Sequence, residues 1–388
     1  MTFQELSQRG LVKQTTNSDK VGSLIDNGST FYIGFDPTAS SLHVGHLLQL
    51  ITAKRLSKNN KIIILVGGAT ATIGDPTGKS EARKVLFNEE VLNNISGIEK
   101  QFQKILNCPF QLVNNSDWLG QLFFLDLLKK VGRHFSINNM LRAECFKSRM
   151  ENGLSFLEFN YMIMQSYDFL HLFENHKCML QIGGDDQWSN ILGGINLIHK
   201  IHKQEVFGLT LPLLVNSNGV KMGKTENGAI WLDKNKTSVF DFFQYWRNVS
   251  DEDVVRLFKL LTFVPVEEIN NIPFSNAKEI NDAKKRLAFE ITSIAHGEEE
   301  ALGALKQSED IFENKLSSNL NTVIAESNSI VDVIVQSGFA KSKTEARNLI
   351  NGKGIFVDDN VVSDFNYHLP KEFVLRKGKK SFVKVLVK

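Results

Sequence analysis

Between Thr30 and Leu214 short apolar runs of β character alternate with amphipathic helical stretches. Phe31-Tyr32-Ile33-Gly34-Phe35 predicts one strand, and Leu42 to Lys58 predicts the helix after it. Lys61 to Val66 predicts a second strand, closing in the glycine-rich loop Gly67-Gly68-Ala69-Thr70. Cys178 to Ile182 predicts a third, followed by Gly183-Gly184 and a helix running toward His199. Alternation of this kind leaves few options: an α/β fold of Rossmann-like type, with a parallel sheet wrapped by helices and ligands at the carboxyl ends of the strands.

Beyond Ser238 the helical period takes over and runs to about Asn314. Ser250-Asp251-Glu252-Asp253 predicts a capping-box start for one helix, with Val254, Leu257, Phe258 and Leu261 as its apolar face. Leu316 to Asn321 and Glu326 to Ser329 are rich in Ser and Asn and read as a linker. A small α+β module is expected from near Ile330, and no internal repeat is visible. A length of 388 residues suits two or three such units.

The formal net charge is only +2, so a polyanionic partner would have to be met by local basic patches. Cys108, Cys145 and Cys178 lie far apart, which argues against a disulfide framework or zinc knuckle and fits a reducing compartment. Met1 to Thr15 lacks the apolar core of a signal peptide, and no run approaches the roughly 18 apolar residues of a membrane span. The expectation is a cytoplasmic protein without a membrane partner.

Three constellations carry candidate chemistry. Asp36-Pro37-Thr38-Ala39-Ser40-Ser41-Leu42-His43-Val44-Gly45-His46 lies where a strand gives way to a helix, so free N–H groups and the helix dipole face a phosphate. Gly45 allows a flat base to approach, and His43 and His46 stand about one turn apart. The alternative is a pair of surface histidines; a metal pair lacks a third ligand nearby. Lys221-Met222-Gly223-Lys224-Thr225 sets two lysines on a glycine-containing loop, which suits a clamp on a polyphosphate or else a solvated loop. Ser155-Phe156-Leu157-Glu158 predicts a capping box opening a helix, on which Tyr161, Gln165 and Asp168 form one polar stripe among apolar neighbours. A buried Asp168 requires a partner, supplied either by an internal network or by a ligand.

Taken together, His43-Val44-Gly45-His46 and Lys221-Met222-Gly223-Lys224-Thr225 resemble the two signature motifs of class I aminoacyl-tRNA synthetases. Val44 stands where the family often has Ile, and Gly223 and Thr225 replace two consensus serines. With Tyr32-Ile33-Gly34-Phe35-Asp36-Pro37-Thr38, Gly67 to Gly78, Phe156 to Phe169 and Gln181 to Trp188, the chain resembles bacterial-type tyrosyl-tRNA synthetases from about Gly10 to Asp233.

That resemblance implies tyrosine, ATP and the tRNA for tyrosine as partners, with Mg²⁺ arriving on ATP and no protein-bound metal. It also implies a homodimer, and no DNA. Tyr32 and Asp168 would bind the phenolic hydroxyl of tyrosine, and Asp75, Tyr161 and Gln165 its α-amino group. Asp36, Asp186 and Gln187 would meet the aminoacyl and ribose parts, with Gly45 under the base. Thr38, His43 and His46 would serve the phosphates, and Lys79, Arg83, Lys221, Lys224 and Thr225 the pyrophosphate side. Asp185, where many relatives carry a small residue, has no role by this reading.

Ile330 to Val335, Gly338, Ser342 to Arg347 and Ile350-Asn351-Gly352 look like an S4-type RNA-binding fold, with Ile355-Phe356-Val357 as its next strand. Residues 371–388 hold seven Lys or Arg and one Glu, a local surface suited to phosphates. Lys341, Lys343, Arg347, Arg376, Lys377, Lys379 and Lys380 are the candidate RNA contacts. The expected organisation is a Rossmann-like catalytic domain over 1–222, the motif loop with an α-helical domain over 223–320, and the S4-like domain over 326–388.

Rival readings fit less of the chain. A tryptophan-specific relative would not account for Tyr32 with Asp168 and the S4-like tail, and a small nucleotidylyltransferase would not need Lys221 to Thr225. Gly78-Lys79-Ser80 and Gly223-Lys224-Thr225 hint at a phosphate loop, but Gly74 and Gly219 stand one residue too close. A non-catalytic RNA-binding relative would have lost signature His and Lys residues that are present here.

Overall fold

A run of isoleucines, Ile62-Ile63-Ile64, lies inside the main sheet, buried on both faces as an interior parallel strand requires. The computed structural model describes residues 1–77, 86–143, 146, 150, 153–225, 228–312, 322–358, 360–378 and 381–387. The strands are β1 (Gln14–Thr15), β2 (Thr30–Phe35), β3 (Lys61–Val66), β4 (Gln111–Asn114), β5 (Leu180–Gly184) and β6 (Phe207–Leu211), in the order β1-β6-β5-β2-β3-β4. β2 pairs in parallel with β3 and with β5, β3 with β4, and β5 with β6. β1 adds an antiparallel edge, Gln14 opposite Thr210. The chain leaves β2 through β3 to β4 and returns on the other side with β5 and β6. The order therefore reverses at β2 and β5, where a doubly wound sheet opens a ligand crevice.

Several local expectations shift. The helix after β2 runs Val44–Leu56, shorter at both ends than Leu42 to Lys58, because His43 takes the N-cap position. The third expected strand is displaced: Leu180–Gly184, not Cys178 to Ile182. Gly183 and Gly184 are strand residues, since their backbones pair with Thr210 and Leu211 of β6. The Ser155 capping box is present, yet it opens only the turn Phe156–Phe159; Tyr161–His176 is a second helix that starts after Asn160. At Ser250 no side-chain cap forms. The hydroxyl donates to the Asp253 carboxylate at 2.7 Å, and a 3-10 turn Asp251–Asp253 precedes the helix Val254–Leu261. The face expected there is buried as read, Val254, Leu257, Phe258 and Leu261 among it.

The chain divides into two compact units, Met1–Glu298 and Glu299–Lys388. The first holds the six-stranded sheet and the helices Val239–Arg247, Val254–Leu261 and Ala277–His296. The second holds a five-stranded sheet with helices Ile330–Gln336 and Lys343–Asn351, the latter capped by Ser342. Ile355–Val357 is a strand as expected. Thr322–Ala325, ahead of Ile330, adds a further strand parallel to Ser381–Val387. Of the expected linker, Leu316 to Asn321 lies outside the described residues, and Glu326 to Ser329 connects strand to helix. Among the described residues no helix is long and apolar enough to cross a membrane.

Candidate active site

Strands β2, β3 and β4 each deliver one polar group to the carboxyl end of the sheet, and these groups form one hydrogen-bonded chain with Tyr161 and Asp168. Asp36, directly after β2, accepts from Tyr161 Oη at 2.8 Å and from Thr70 Oγ1 at 2.8 Å. Thr70, after β3, accepts from Asn115 Nδ2 at 3.0 Å, and the same amide donates to Asp168 at 3.0 Å. The second Asp168 oxygen accepts from Trp118 Nε1 at 2.8 Å. Asn115 is held in this sense because its oxygen accepts from the Ala69 N–H at 2.8 Å; its amide must then point to Thr70 and Asp168. A Cβ at Gly67 would fall 2.0 Å from Asp36 Oδ1 and 2.3 Å from Thr70 Oγ1, so the network requires glycine there.

Asp168 is therefore buried and partnered, as a lone carboxyl could not be. Burial pushes it up to about 7, opposed by the Asn115 and Trp118 hydrogen bonds and reinforced by Asp36. Beside it Tyr32 is 1% exposed, and its hydroxyl has no hydrogen-bond partner among the described residues. Burial, with Asp168 nearby, also raises the Tyr32 phenol well above its ordinary range, which keeps it a neutral donor. Gln165 Oε1, on the same helix as Tyr161 and Asp168, is likewise buried and unpaired. Buried polar atoms of this sort are rare in a finished core and mark places where a ligand or water completes the bonding.

A second group lies between β3 and β5. Asp75 accepts from Gln187 Nε2 at 2.7 Å and from the Thr77 N–H at 2.9 Å, and Gln187 accepts from Asn190 at 3.1 Å. Asp185 turns away toward the sheet edge, accepting from Gln14 at 2.6 Å and Thr210 at 2.9 Å. That gives this residue a structural task, tying β1 and β6 to the end of β5. Asp186 faces Lys221 at 3.6 Å; burial raises its carboxyl and the lysine opposes that shift.

The two signature segments meet at the start of the Val44–Leu56 helix. His43 Nδ1 accepts from the Gly45 N–H at 3.0 Å, and His46 Nδ1 accepts from the His43 N–H at 3.2 Å, so the pair forms a capping box. A neutral imidazole that accepts at Nδ1 carries its proton at Nε2. Both rings thus present N–H edges beside a helix N-terminus. A Cβ on Gly45 would lie 2.7 Å from the His43 ring, a reason for glycine that precedes any contact with a base. Gly223 rests on the same helix start: a Cβ there would come 2.6 Å from Val44 Cγ2. Lys224–Thr225 forms a short hairpin with Gly228–Ala229.

Thr38 is exposed just beyond Asp36. Lys79, Arg83, Lys379, Lys380 and the side chains of Lys224 and Thr225 lie outside the described residues. In the second unit Lys341 and Arg347 are exposed. Lys343 pairs with Asp332 at 2.7 Å, Lys377 donates to the Phe339 carbonyl at 2.6 Å, and Arg376 lies 3.7 Å over the Phe356 ring. Sequence reasoning missed Thr70, Asn115, Trp118 and Asn190. The only local signal was the polar run Asn115 to Asp117, directly after a four-residue strand and followed by Trp118. Among the described residues no group of three or more His, Cys, Asp or Glu could hold a metal ion.

Residues 26–313 match the family described as tRNA synthetases class I (W and Y), and residues 309–385 match the tyrosine–tRNA ligase SYY-like C-terminal domain. The chain is 48% identical over 401 residues to a tyrosine–tRNA ligase of Acetivibrio thermocellus, covering 99% of this chain and 98% of the relative. A tyrosine–tRNA ligase of Clostridium botulinum is 46% identical over 399 residues, 98% of each. Among solved structures, a C-terminally truncated mitochondrial tyrosyl-tRNA synthetase of Aspergillus nidulans superposes with a TM-score of 0.72 at 30% identity, covering 80% of this chain and 94% of that one. Fold and site thus define a class I aminoacyl-tRNA synthetase of the group that handles tryptophan and tyrosine. Within it, the chain belongs to the tyrosine–tRNA ligase family.

Proposed function

We infer that the chain activates L-tyrosine with ATP, giving tyrosyl-adenylate and pyrophosphate, and then transfers tyrosine to the terminal adenosine of its tRNA. The observation that carries the substrate assignment is the buried Asp168 beside an unpaired Tyr32 hydroxyl. A phenolic hydroxyl entering there would donate to the carboxylate and accept from Tyr32. Phenylalanine would leave the Tyr32 hydroxyl unpaired and take from Asp168 the added donor that a phenol brings, which is where discrimination arises. Tyr161, Gln165 and Asp75 would hold the α-amino group, with Asp36 and Gln187 positioning the aminoacyl part.

The tyrosine carboxylate would attack the α-phosphorus in line, forming the new P–O bond as the bond to pyrophosphate breaks. The Nε2–H edges of His43 and His46, the helix N-terminus, and Thr38 would receive charge developing on the phosphates. Asp186 would meet the ribose, and Gly45 the base. Lys221, with Lys79, Arg83, Lys224 and Thr225, would draw off the pyrophosphate. Mg²⁺ would travel on the phosphate oxygens with water, as is usual for ATP. A hydroxyl of the terminal adenosine then attacks the carbonyl and AMP leaves. No side chain need become covalently bound; positioning and charge stabilisation suffice.

Residues 1–222 would make up the tyrosine and ATP domain, 223–320 the motif loop and tRNA-facing helices, and 326–388 the RNA-binding domain. A homodimer would cover exposed apolar side chains such as the consecutive Phe123, Phe124 and Leu125. The workplace would be the cytoplasm. The experiment is charging of tRNA by the wild type and by Lys341→Glu with Arg347→Glu. Both residues are exposed, so their reversal should raise the KM for tRNA and reduce its salt dependence while leaving adenylate formation intact. Unchanged charging would remove the C-terminal module from tRNA recognition.

A further inference from the structure

The segment that carries Lys221 is held at two places by the helices that follow it. At its base the buried Asp253 accepts from the Ser217 N–H at 3.0 Å and pairs with Arg256 at 2.7 Å, while Arg256 donates to the Val215 carbonyl. Further on, in the middle of the motif, the Gly223 N–H donates to Tyr245 Oη at 2.9 Å. Gly223 has a φ of +93° and abuts Val44, and the Ile230 N–H returns to its carbonyl at 2.9 Å while the Val44 N–H donates to Ile230 at 3.1 Å. The motif is thus laid on the start of the histidine-bearing helix, with Lys221 3.6 Å from Asp186.

These two holds differ in kind. The Asp253–Arg256 pair is charged, multiply bonded and set at the base, so it fixes where the segment begins. The Tyr245 contact is a single neutral hydrogen bond to the motif's own backbone, and losing it leaves the base intact. We propose that Tyr245 is a positioning residue for adenylate formation: its hydroxyl holds Gly223 on the Val44–Leu56 helix and so keeps Lys221 on the phosphate side of the site. The proposal rests on the assignment of Lys221 to the phosphates of ATP.

Tyr245→Phe removes one oxygen and keeps the ring. In tyrosine-dependent pyrophosphate exchange the KM for ATP should rise roughly three- to tenfold, the span of one hydrogen bond. The kcat should change by less than about twofold, because ATP itself draws the segment down once bound. Tyrosine affinity and Tm should stay as in the wild type, and amide hydrogen exchange at Gly223 should quicken. In a Lys221→Ala background the same substitution should add no further rise in the KM for ATP, since both changes act through one segment. An unchanged or lowered KM for ATP in Tyr245→Phe would overturn the proposal, as would an equal rise in the Lys221→Ala background. If the wild type shows no exchange activity at all, the assignment of function fails instead. Hydrogen exchange at Gly223 then decides whether Tyr245 holds the segment, and unaltered protection there refutes it.

Discussion

Trp118 Nε1 donates to Asp168 at 2.8 Å, across fifty residues of sequence, and so fixes the carboxylate on which the choice of amino acid depends. The indole N–H and the Asn115 amide favour the ionised form, while burial resists it more strongly. The balance leaves Asp168 titrating near 7, within reach of ordinary assay conditions.

Tyrosine binding should therefore depend on pH. A phenol donating to Asp168 prefers the carboxylate, so binding lowers its pKa and releases a proton. Affinity for tyrosine should be level above about 7 and weaken as the pH falls through that value. Calorimetric titrations from pH 5.5 to 8.5 would show this, and Asp168→Asn should flatten the profile. A wild-type profile already flat would mean that Asp168 keeps one protonation state throughout.

The same shift has a consequence for stability, of opposite sense. A carboxyl whose pKa is raised by folding stabilises the native state at low pH, and that contribution is lost as the pH rises through the folded value, here about 7. Asp168→Asn removes the buried charge. Its amide would also face the donor of Asn115 or Trp118, a cost that does not depend on pH. Relative to the wild type, the variant's denaturant midpoint should therefore rise from pH 4 to pH 8, and a difference constant over that range would contradict the burial argument.

Specificity should suffer in that variant. A hydrogen bond to a charged group is worth about 1.5–3 kcal/mol, so the preference for tyrosine over phenylalanine in kcat/KM should fall by roughly 10- to 100-fold. An unaltered preference would sink the pocket assignment.

The histidine pair separates structure from chemistry. His46 caps the helix through Nδ1, a task that Gln at the same position performs in ordinary capping boxes. His46→Gln should keep the Tm near that of the wild type and slow adenylate formation by roughly 10²–10³-fold. His46→Ala should lose that rate and about 1 kcal/mol of stability as well. If stopped-flow activation by His46→Gln matched the wild type, His46 would be a cap alone.

Gly45 gives a related check. Alanine is the better helix former by roughly 1 kcal/mol, but its Cβ would press on the His43 ring. Gly45→Ala should therefore lower both the Tm and the activation rate, and a gain in both would show that the ring moves aside freely.

Much of this was legible where the signal was local. Lys61 to Val66 could be read as a strand because five apolar residues in a row after Lys61 leave no helical face, and the structure agrees residue for residue. Tyr161, Gln165 and Asp168 could be placed on one helical stripe by period, and they do share the helix Tyr161–His176. What escaped was non-local. Asn115 and Trp118 belong to no motif, and they matter only because β4 pairs with β3 and sets them beside Asp168. Gly183 and Gly184 looked like a loop because glycine is a poor strand former; pairing with β6 overrides that preference. Asp185 was opaque for the same reason, its partners lying on β1 and β6.

Amino-acid-dependent exchange of labelled pyrophosphate into ATP, run with each of the twenty amino acids, asks whether the pocket of Tyr32 and Asp168 serves tyrosine activation. Exchange should appear with tyrosine and stay at background with phenylalanine and tryptophan. Exchange driven by tryptophan, or no exchange from well-folded protein, would refute tyrosine activation at this site.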